Sequence, residues 1–377
     1  MDIIGKNSNQ PLVSVIIPAF NAERSIDKTL DSVLHQTYRN IEVLVVDDGS
    51  QDKTAEIIES ISHHDHRVYP LYQTQLGVAA ARNAAIRQSR GQLIAPIDAD
   101  DIWYPQNLEK QVHCMLKAGP SVGLVYAWSV VIDEHNLLTG DFCASPIEGE
   151  VFETLLSHNF LGNASVCLIR RNCINEVGYY SRKFSQQNAQ GCEDWDLCLR
   201  IAERHQFRVV SEFLIGYRKT KNSMSRNYTA MANSHSLMLD GFRRERSEIS
   251  PIIYQLSVVN FYLYLAHDST WSDRLKISRQ WLVQALRANV IITLLSYRLY
   301  SLIIKFFLGF MAQALPLLNR PQSPLKPTHS QKHRSNCRLL TITDIYKKRI
   351  FLKFNLLIQK IYHRLIRIFF VKSEHKS

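Results

Sequence analysis

Two β-branched runs of strand length, Val13-Ser14-Val15-Ile16-Ile17-Pro18 and Ile41-Glu42-Val43-Leu44-Val45-Val46-Asp47-Asp48, each stop at polar or turn residues. Between them, Ser25 to Gln36 carries Ile26, Leu30, Val33 and Leu34 at helical spacing, with Ser25 or Asp27 placed to cap it. The pattern then repeats. A second helix is predicted from Asp52-Lys53-Thr54 through Ile61, a short strand near Val68 to Tyr72, a helix from Val78 to Ser89, and a strand ending at Asp98. Such alternation constrains the chain to an α/β fold, a mostly parallel sheet with helices on both faces. Ligands bind sheets of this kind outside the carboxyl ends of the strands. Pro18, Asp48 and Asp98 are therefore expected to converge.

The last of these strand ends carries the densest chemistry. Pro96-Ile97-Asp98-Ala99-Asp100-Asp101 places three carboxylates within four positions directly after an apolar run. Carboxylates so close repel one another unless a divalent cation, a hydrogen-bond donor or a positive ligand group lies between them. Taken singly, Asp47-Asp48-Gly49-Ser50 is an ordinary turn. Alone, Asp98 to Asp101 is open between a site and a cap ahead of Ile102-Trp103, as Glu193-Asp194 is between a site and a cap on the apolar helix Leu197 to Ala202. Their order along the chain gives them weight, since each carboxylate falls where a sheet-edge site needs it. Trp103 and Trp195 read as packing residues first, and His63-His64-Asp65-His66 as a solvated turn between helix and strand.

In four ordered blocks the chain resembles the glycosyltransferases of family 2, which carry the nucleotide-sugar-binding GT-A fold. The blocks are Val13 to Asn21, Val45 to Thr54, Gly77-Val78-Ala79-Ala80-Ala81-Arg82-Asn83 running on to Asp98-Ala99-Asp100-Asp101, and Glu193-Asp194-Trp195-Asp196-Leu197. The likeness extends over residues 12 to 225.

The resemblance implies roles for individual residues. Asp48 would accept a hydrogen bond from the nucleotide base; an ionised Asp is acceptor-only and uracil N3 is a donor, which favours uridine. Pro18, Ala19 and Phe20 would line base and ribose, and Arg82 would offer its guanidinium donors to the nucleotide. Asp98 and Asp100 would form an Asp-x-Asp motif, Asp100 as direct metal ligand and Asp98 bonding ribose or a water on the metal. Mn²⁺ or Mg²⁺ suits such oxygen donors. Asp194, beside Glu193, would be the general base of a single inverting displacement, with Trp195 as packing or as a platform for the acceptor sugar. Where many relatives have a His this chain has Thr220, leaving Arg218, Lys219, Lys221 or Ser223 to meet the phosphates. The acceptor is expected to be a glycan or lipid-linked glycan. Its specificity would lie in Asp133 to Glu150 and Tyr179 to Gly191.

The formal charge of +11 is confined to one end. From Arg320 to Ser377, 14 Lys and Arg face only Asp344 and Glu374, a net of +12, whereas the remainder nets −1. If Ile345 to Val371 is helical, Ile350, Phe354, Leu357, Ile361, Leu365 and Ile368 form one stripe, with Arg349, Lys353, Lys360, Arg364 and Arg367 beside it. An apolar face flanked by cations is an interfacial helix pattern, so an anionic membrane surface is the expected partner and nucleic acid is not. Leu299 to Leu318 reaches the ~20 residues a bilayer span needs, but Lys305 near its middle makes a span costly. In-plane association is favoured over a docking helix pair or a span.

The expected organisation is a polar extension over 1–11 and a GT-A-like domain over 12–230, divided into a nucleotide half (12–101) and an acceptor half (102–230). A helical apolar extension (231–318), a Pro-rich basic linker (319–344) and a basic amphipathic tail (345–377) follow. Met1 to Pro11 has no apolar stretch of a secretory signal, and the seven cysteines show no C-x-x-C spacing, which fits reduced thiols in the cytosol. The reading is an enzyme at the cytoplasmic face of the cell membrane. Two rivals are a nucleotide-sugar-binding protein without transfer, opposed by the intact Asp98, Asp100 and Asp194, and an enzyme whose tail binds nucleic acid, opposed by the apolar stripe.

Overall fold

The computed structural model describes residues 10–187, 189–220, 223–270, 275–314 and 349–370. The predicted alternation is present as β1 (Val13–Ala19), α1 (Ile26–Leu34), β2 (Ile41–Asp47), α2 (Thr54–His64), β3 (Val68–Tyr72), α3 (Val78–Gln88) and β4 (Leu93–Pro96). β2 is buried at every position and β1 at all but one, which explains why both read as continuous apolar runs rather than as alternation. β5 (Ile102–Trp103), α4 (Asn107–Lys117), β6 (Val122–Ile132), β7 (Leu138–Cys143), α5 (Phe152–Ser157), β8 (Cys167–Arg170) and α6 (Arg171–Val177) follow. After them come α7 (Lys183–Gln186), α8 (Glu193–Ala202), β9 (Gln206–Arg218) and α9 (Tyr228–Glu245).

These strands build one nine-stranded sheet in the order β3-β2-β1-β4-β8-β6-β9-β5, with β7 added beside β6. β3, β2, β1 and β4 are mutually parallel. From β8 onward the sheet is mixed: β8 is antiparallel to both β4 and β6, β9 runs parallel to β6, and β5 antiparallel to β9. The switch to antiparallel pairing next to β4 lies beside Asp98.

One compact unit contains these elements together with α14 (Arg349–Phe370), and a second takes up residues from 250 to 314. The helix α9, within the stretch expected to open the apolar extension, belongs to the first unit. In the second unit α10 (Pro251–Thr270) and α11 (Leu275–Ala288) share a small core of Val259, Leu263 and Ala285, closed by the Ser278 hydroxyl donating to the Ala266 carbonyl at 2.6 Å. α12 (Val290–Leu295) is capped by Asn289, and α13 (Tyr297–Ala314) covers most of the candidate span, whose last residues, 315–318, lie outside the described residues. Among the described residues no helix is long and apolar enough to cross a membrane. The linker 319–344 and Lys221 also lie outside them.

One local expectation changes. α2 continues through His64, so His63 and His64 sit in its last turn and not in a loop; His64 is bonded to the Ser60 carbonyl and Asp65 pairs with Arg67. Six cysteines are free thiols, and Cys337 falls outside the described residues.

Candidate active site

Parallel register sets the first wall of the site. Ala19 lies opposite Asp47, and Ile16 opposite Pro96, so the ends of β1, β2 and β4 open on one edge. The backbone N–H of Asp48 donates to the Ala19 carbonyl at 2.8 Å, holding the two strand ends together. Beyond β1 the chain turns through Asn21 at a φ of 48°, left-handed backbone that Asn tolerates better than most residues. The turn is fastened to the loop after β2. Asn21 N–H donates to the Ser50 hydroxyl, Asn21 Oδ1 accepts from Gln51 N–H, and the Thr54 hydroxyl accepts from Ala22 N–H. Pro18 is half-buried, Ala19 buried and Phe20 exposed at this edge.

Asp48 is itself buried and engaged. Its Oδ1 accepts from Gln73 Nε2 at 2.7 Å and from Leu76 N–H at 2.8 Å, and its Oδ2 accepts from Gly77 N–H at 2.8 Å. The loop between β3 and α3 is thus tied to the strand end. Gly77 takes a φ of 90°, a conformation that strains residues with a Cβ.

The three carboxylates after β4 diverge. Asp101 points inward, where it accepts from the Ser165 hydroxyl and from Arg218 N–H, and burial pushes its carboxyl well above the usual range. Asp98 and Asp100 remain toward the edge. Asp98 N–H donates to the same Ser165 hydroxyl at 3.0 Å, and burial together with the neighbouring Asp98 charge raises Asp100 to about 6. Thr29 of α1 donates to the carbonyls of Ala99 and Asp101, fixing the turn from behind.

Arg82 connects this turn to the second carboxylate pair. Its side chain is only 4% exposed; Nη2 donates to Asp98 Oδ1 at 2.5 Å, and Nη1 lies 4.0 Å from Glu193 Oε1. The guanidinium stands 5.2 Å from the centroid of the Tyr180 ring, and among the described residues Nε and Nη1 have no hydrogen-bond acceptor. Asn83 bonds both the N–H and the carbonyl of Tyr180, so α3 positions arginine and ring together. Glu193 and Asp194 open α8. Burial and the Glu193 charge push Asp194 up to about 7, and its Oδ1 accepts from Trp195 N–H at 2.7 Å. Trp195 is buried, donates from Nε1 to the Leu155 carbonyl at 2.9 Å and lies 5.2 Å from the His235 ring.

Arg218 is placed at the rear of the turn. It is buried, with its guanidinium on the carbonyls of Asp100 and Asp133 and on Asn136 Oδ1. Those bonds brace the Asp98–Asp101 turn against the loop after β6. Thr220 N–H donates to the Ser223 hydroxyl.

Among the described residues no group of three or more His, Cys, Asp or Glu could hold a metal by itself. Asp98 and Asp100 fit a cation whose remaining ligands come from a diphosphate and water, since Mg²⁺-like ions are held by one or two carboxylates plus phosphate oxygens. The sequence reading includes Asn21, Asn83 and Tyr180 only within longer segments and gives them no role, and it misses Ser165, which is 67 positions from Asp98.

Residues 14–178 match the sequence model described as Glycosyl transferase family 2. An uncharacterized glycosyltransferase of Rickettsia prowazekii is 36% identical over 55% of this chain, and the chain spans 62% of that protein's length. The Escherichia coli protein WfgD, named as a UDP-Glc:alpha-D-GlcNAc-diphosphoundecaprenol beta-1,3-glucosyltransferase, is 33% identical over 57% of this chain and 80% of its own length. Among solved structures, S. aureus TarS 1-349 with UDP-GlcNAc superposes with a TM-score of 0.53 at 17% identity, over 73% of this chain and 81% of that one. The Pyrobaculum calidifontis mannosyltransferase PcManGT, in complex with GDP-Man and Mn²⁺, gives 0.51 at 20% identity over 81% of both.

Proposed function

The chain belongs to glycosyltransferase family 2, and from that premise we propose that it moves one sugar from a nucleotide diphosphate sugar to a lipid-linked or cell-surface polysaccharide precursor at the cytoplasmic membrane face. The observation that carries this reading is the buried Arg82, which joins Asp98 on one side of the edge to Glu193, next to Asp194, on the other. A site that divides donor carboxylates from a separate carboxylate on a helix N-terminus has the two halves a displacement at an anomeric carbon requires.

On the donor side, Pro18, Ala19 and Phe20 line base and ribose, and Arg82 offers the two donor nitrogens that lack acceptors to nucleotide oxygens. Asp48 recognises the base. Its Oδ2 accepts a single bond, from Gly77, and keeps capacity for the N3–H of uracil. The relative named for UDP-Glc supports uridine. Asp100, with Asp98, would hold Mn²⁺ or Mg²⁺, which when bound neutralises charge on the leaving diphosphate. Arg218 serves by holding the backbone of this turn.

On the acceptor side, Asp194 takes the proton of the acceptor hydroxyl as its oxygen bonds the anomeric carbon and the bond to the diphosphate breaks, which inverts the configuration. A pKa of about 7 suits a base working near neutrality, where such assistance is worth about 10²–10⁴-fold. Burial first and the Glu193 charge second maintain that pKa, and Trp195 anchors the helix start.

Calorimetric titration with UDP, GDP, ADP and CDP, with and without Mn²⁺, tests the donor half on the intact protein and on Asp100→Ala. Metal-dependent binding of one nucleotide, lost in the variant, is expected. Folded protein that binds none of them overturns the proposal.

A further inference from the structure

α14 has two unlike faces. Toward the catalytic unit, Leu352 is buried in a cluster with Trp128, Val130, Ile132, Ala144 and Phe213, and Leu356 packs against that cluster. The rest of this face is fastened by polar bonds. Gln359 Nε2 donates to the Ala144 carbonyl at 2.9 Å, His363 and Thr154 share a hydrogen bond of 2.7 Å, and Arg367 pairs with Glu150 at 2.8 Å. On the opposite face Phe354, Leu357, Ile361, Leu365 and Ile368 recur every three or four residues and are all exposed, Phe354 by 60% and Ile368 by 71%. With Leu352 and Ile366 already buried on the inner face, the exposed stripe is a second apolar face, which an ordinary surface helix lacks. Lys353, Lys360 and Arg364 are exposed along the stripe, and Arg349 to Phe370 contains no Asp or Glu. The side chains of Arg349 and Ile350 lie outside the described residues.

We propose that the outer face of α14 docks onto an anionic lipid bilayer, the apolar stripe entering the interface and Lys353, Lys360 and Arg364 meeting the headgroups. Charge of one sign beside exposed apolar residues fits such a surface. The inner anchors make the catalytic unit follow. Thr154 and Leu155 are neighbours on α5, and the Leu155 carbonyl receives the Trp195 indole, so one short helix stands between the docked surface and the start of α8. This deepens the reading of a lipid-linked acceptor and rests on it only for the use the docking serves.

Flotation of the full chain with vesicles of phosphatidylcholine alone or with phosphatidylglycerol, without donor or acceptor, keeps the test independent of transfer. Binding is expected only to the anionic vesicles, weakening with salt. Ile361→Ser with Leu365→Ser should lower partitioning at least tenfold, and Lys360→Gln with Arg364→Gln should abolish the lipid preference; nucleotide binding should be unchanged in both variants. No binding, or binding that neither variant alters, overturns the proposal. So does a dimer by sedimentation that Ile361→Ser with Leu365→Ser dissociates, which assigns the face to a second copy, or tight single-stranded RNA binding that displaces vesicles.

Discussion

Arg82 Nη2 lies 2.5 Å from Asp98 Oδ1, while Nε and Nη1 of the same guanidinium have no acceptor among the described residues. One nitrogen orients Asp98, and the proposed nucleotide contact would use the other two, which are buried. Lysine keeps the charge but loses the fork. Arg82→Lys is expected to lower nucleotide affinity and kcat/KM about 10–100-fold, ~1.4–2.7 kcal/mol. Arg82→Ala should also cost about 1–3 kcal/mol of stability, moderated because Asp98 is partly exposed. Equal affinities for wild type and Arg82→Lys in calorimetry would remove the arginine from the donor site.

Asp194 supplies a pH signature. A base with a pKa of about 7 acts only when ionised, so kcat/KM should rise with pH and level off above neutrality. Asp194→Asn should eliminate that limb along with most of the activity. Stability should respond in the opposite sense. The folded chain holds a proton that the unfolded chain releases near pH 4, so this group makes stability fall as pH rises from about 4 to 7. Urea midpoints of wild type and Asp194→Asn across this window should diverge, the variant being relatively more stable at pH 7.

Ser165 contributes to two groups at once, accepting from Asp98 N–H and donating to Asp101. Ser165→Ala leaves a buried carboxylate short of a donor. The expected loss is about 1–3 kcal/mol, read from urea unfolding at pH 7. An unchanged midpoint would show that Arg218 N–H suffices for Asp101.

Gly191 precedes the Glu193-Asp194 pair with a φ of 108°, and an added Cβ would stand 3.1 Å from Met231 Cγ. The flexible methionine can give way, whereas the backbone conformation cannot be made comfortable for alanine. Gly191→Ala should cost about 1–3 kcal/mol and reduce turnover by shifting the start of α8, with nucleotide binding retained. Wild-type thermal stability in that variant would contradict the strain.

The parallel half of the sheet was legible because β1 and β2 are buried on both faces and are therefore rich in β-branched residues, with Ser14 and Glu42 the polar interruptions and paired to each other. Asp98, Asp100 and Glu193-Asp194 were legible because clustered carboxylates at element ends are chemically conspicuous. Ser165 and Tyr180 were not: a hydroxyl and a ring acquire meaning only once β8 and the segment before α7 are folded against β4 and α3. Arg218 was legible as a cation but not as a brace, since the carbonyls it holds belong to Asp100 and Asp133, far from it in sequence. α2 outran its predicted end because His63 and His64 continue the helix without needing burial.

The three donors on Asp48 all come from the loop 73–77 of the same chain, held at a fixed, high effective concentration, and two of them fall on Oδ1 and one on Oδ2. Under the role proposed for Asp48, this internal set fixes how its open Oδ2 position is presented to a base, so Gln73→Ala should shift base preference although Gln73 bonds the other oxygen.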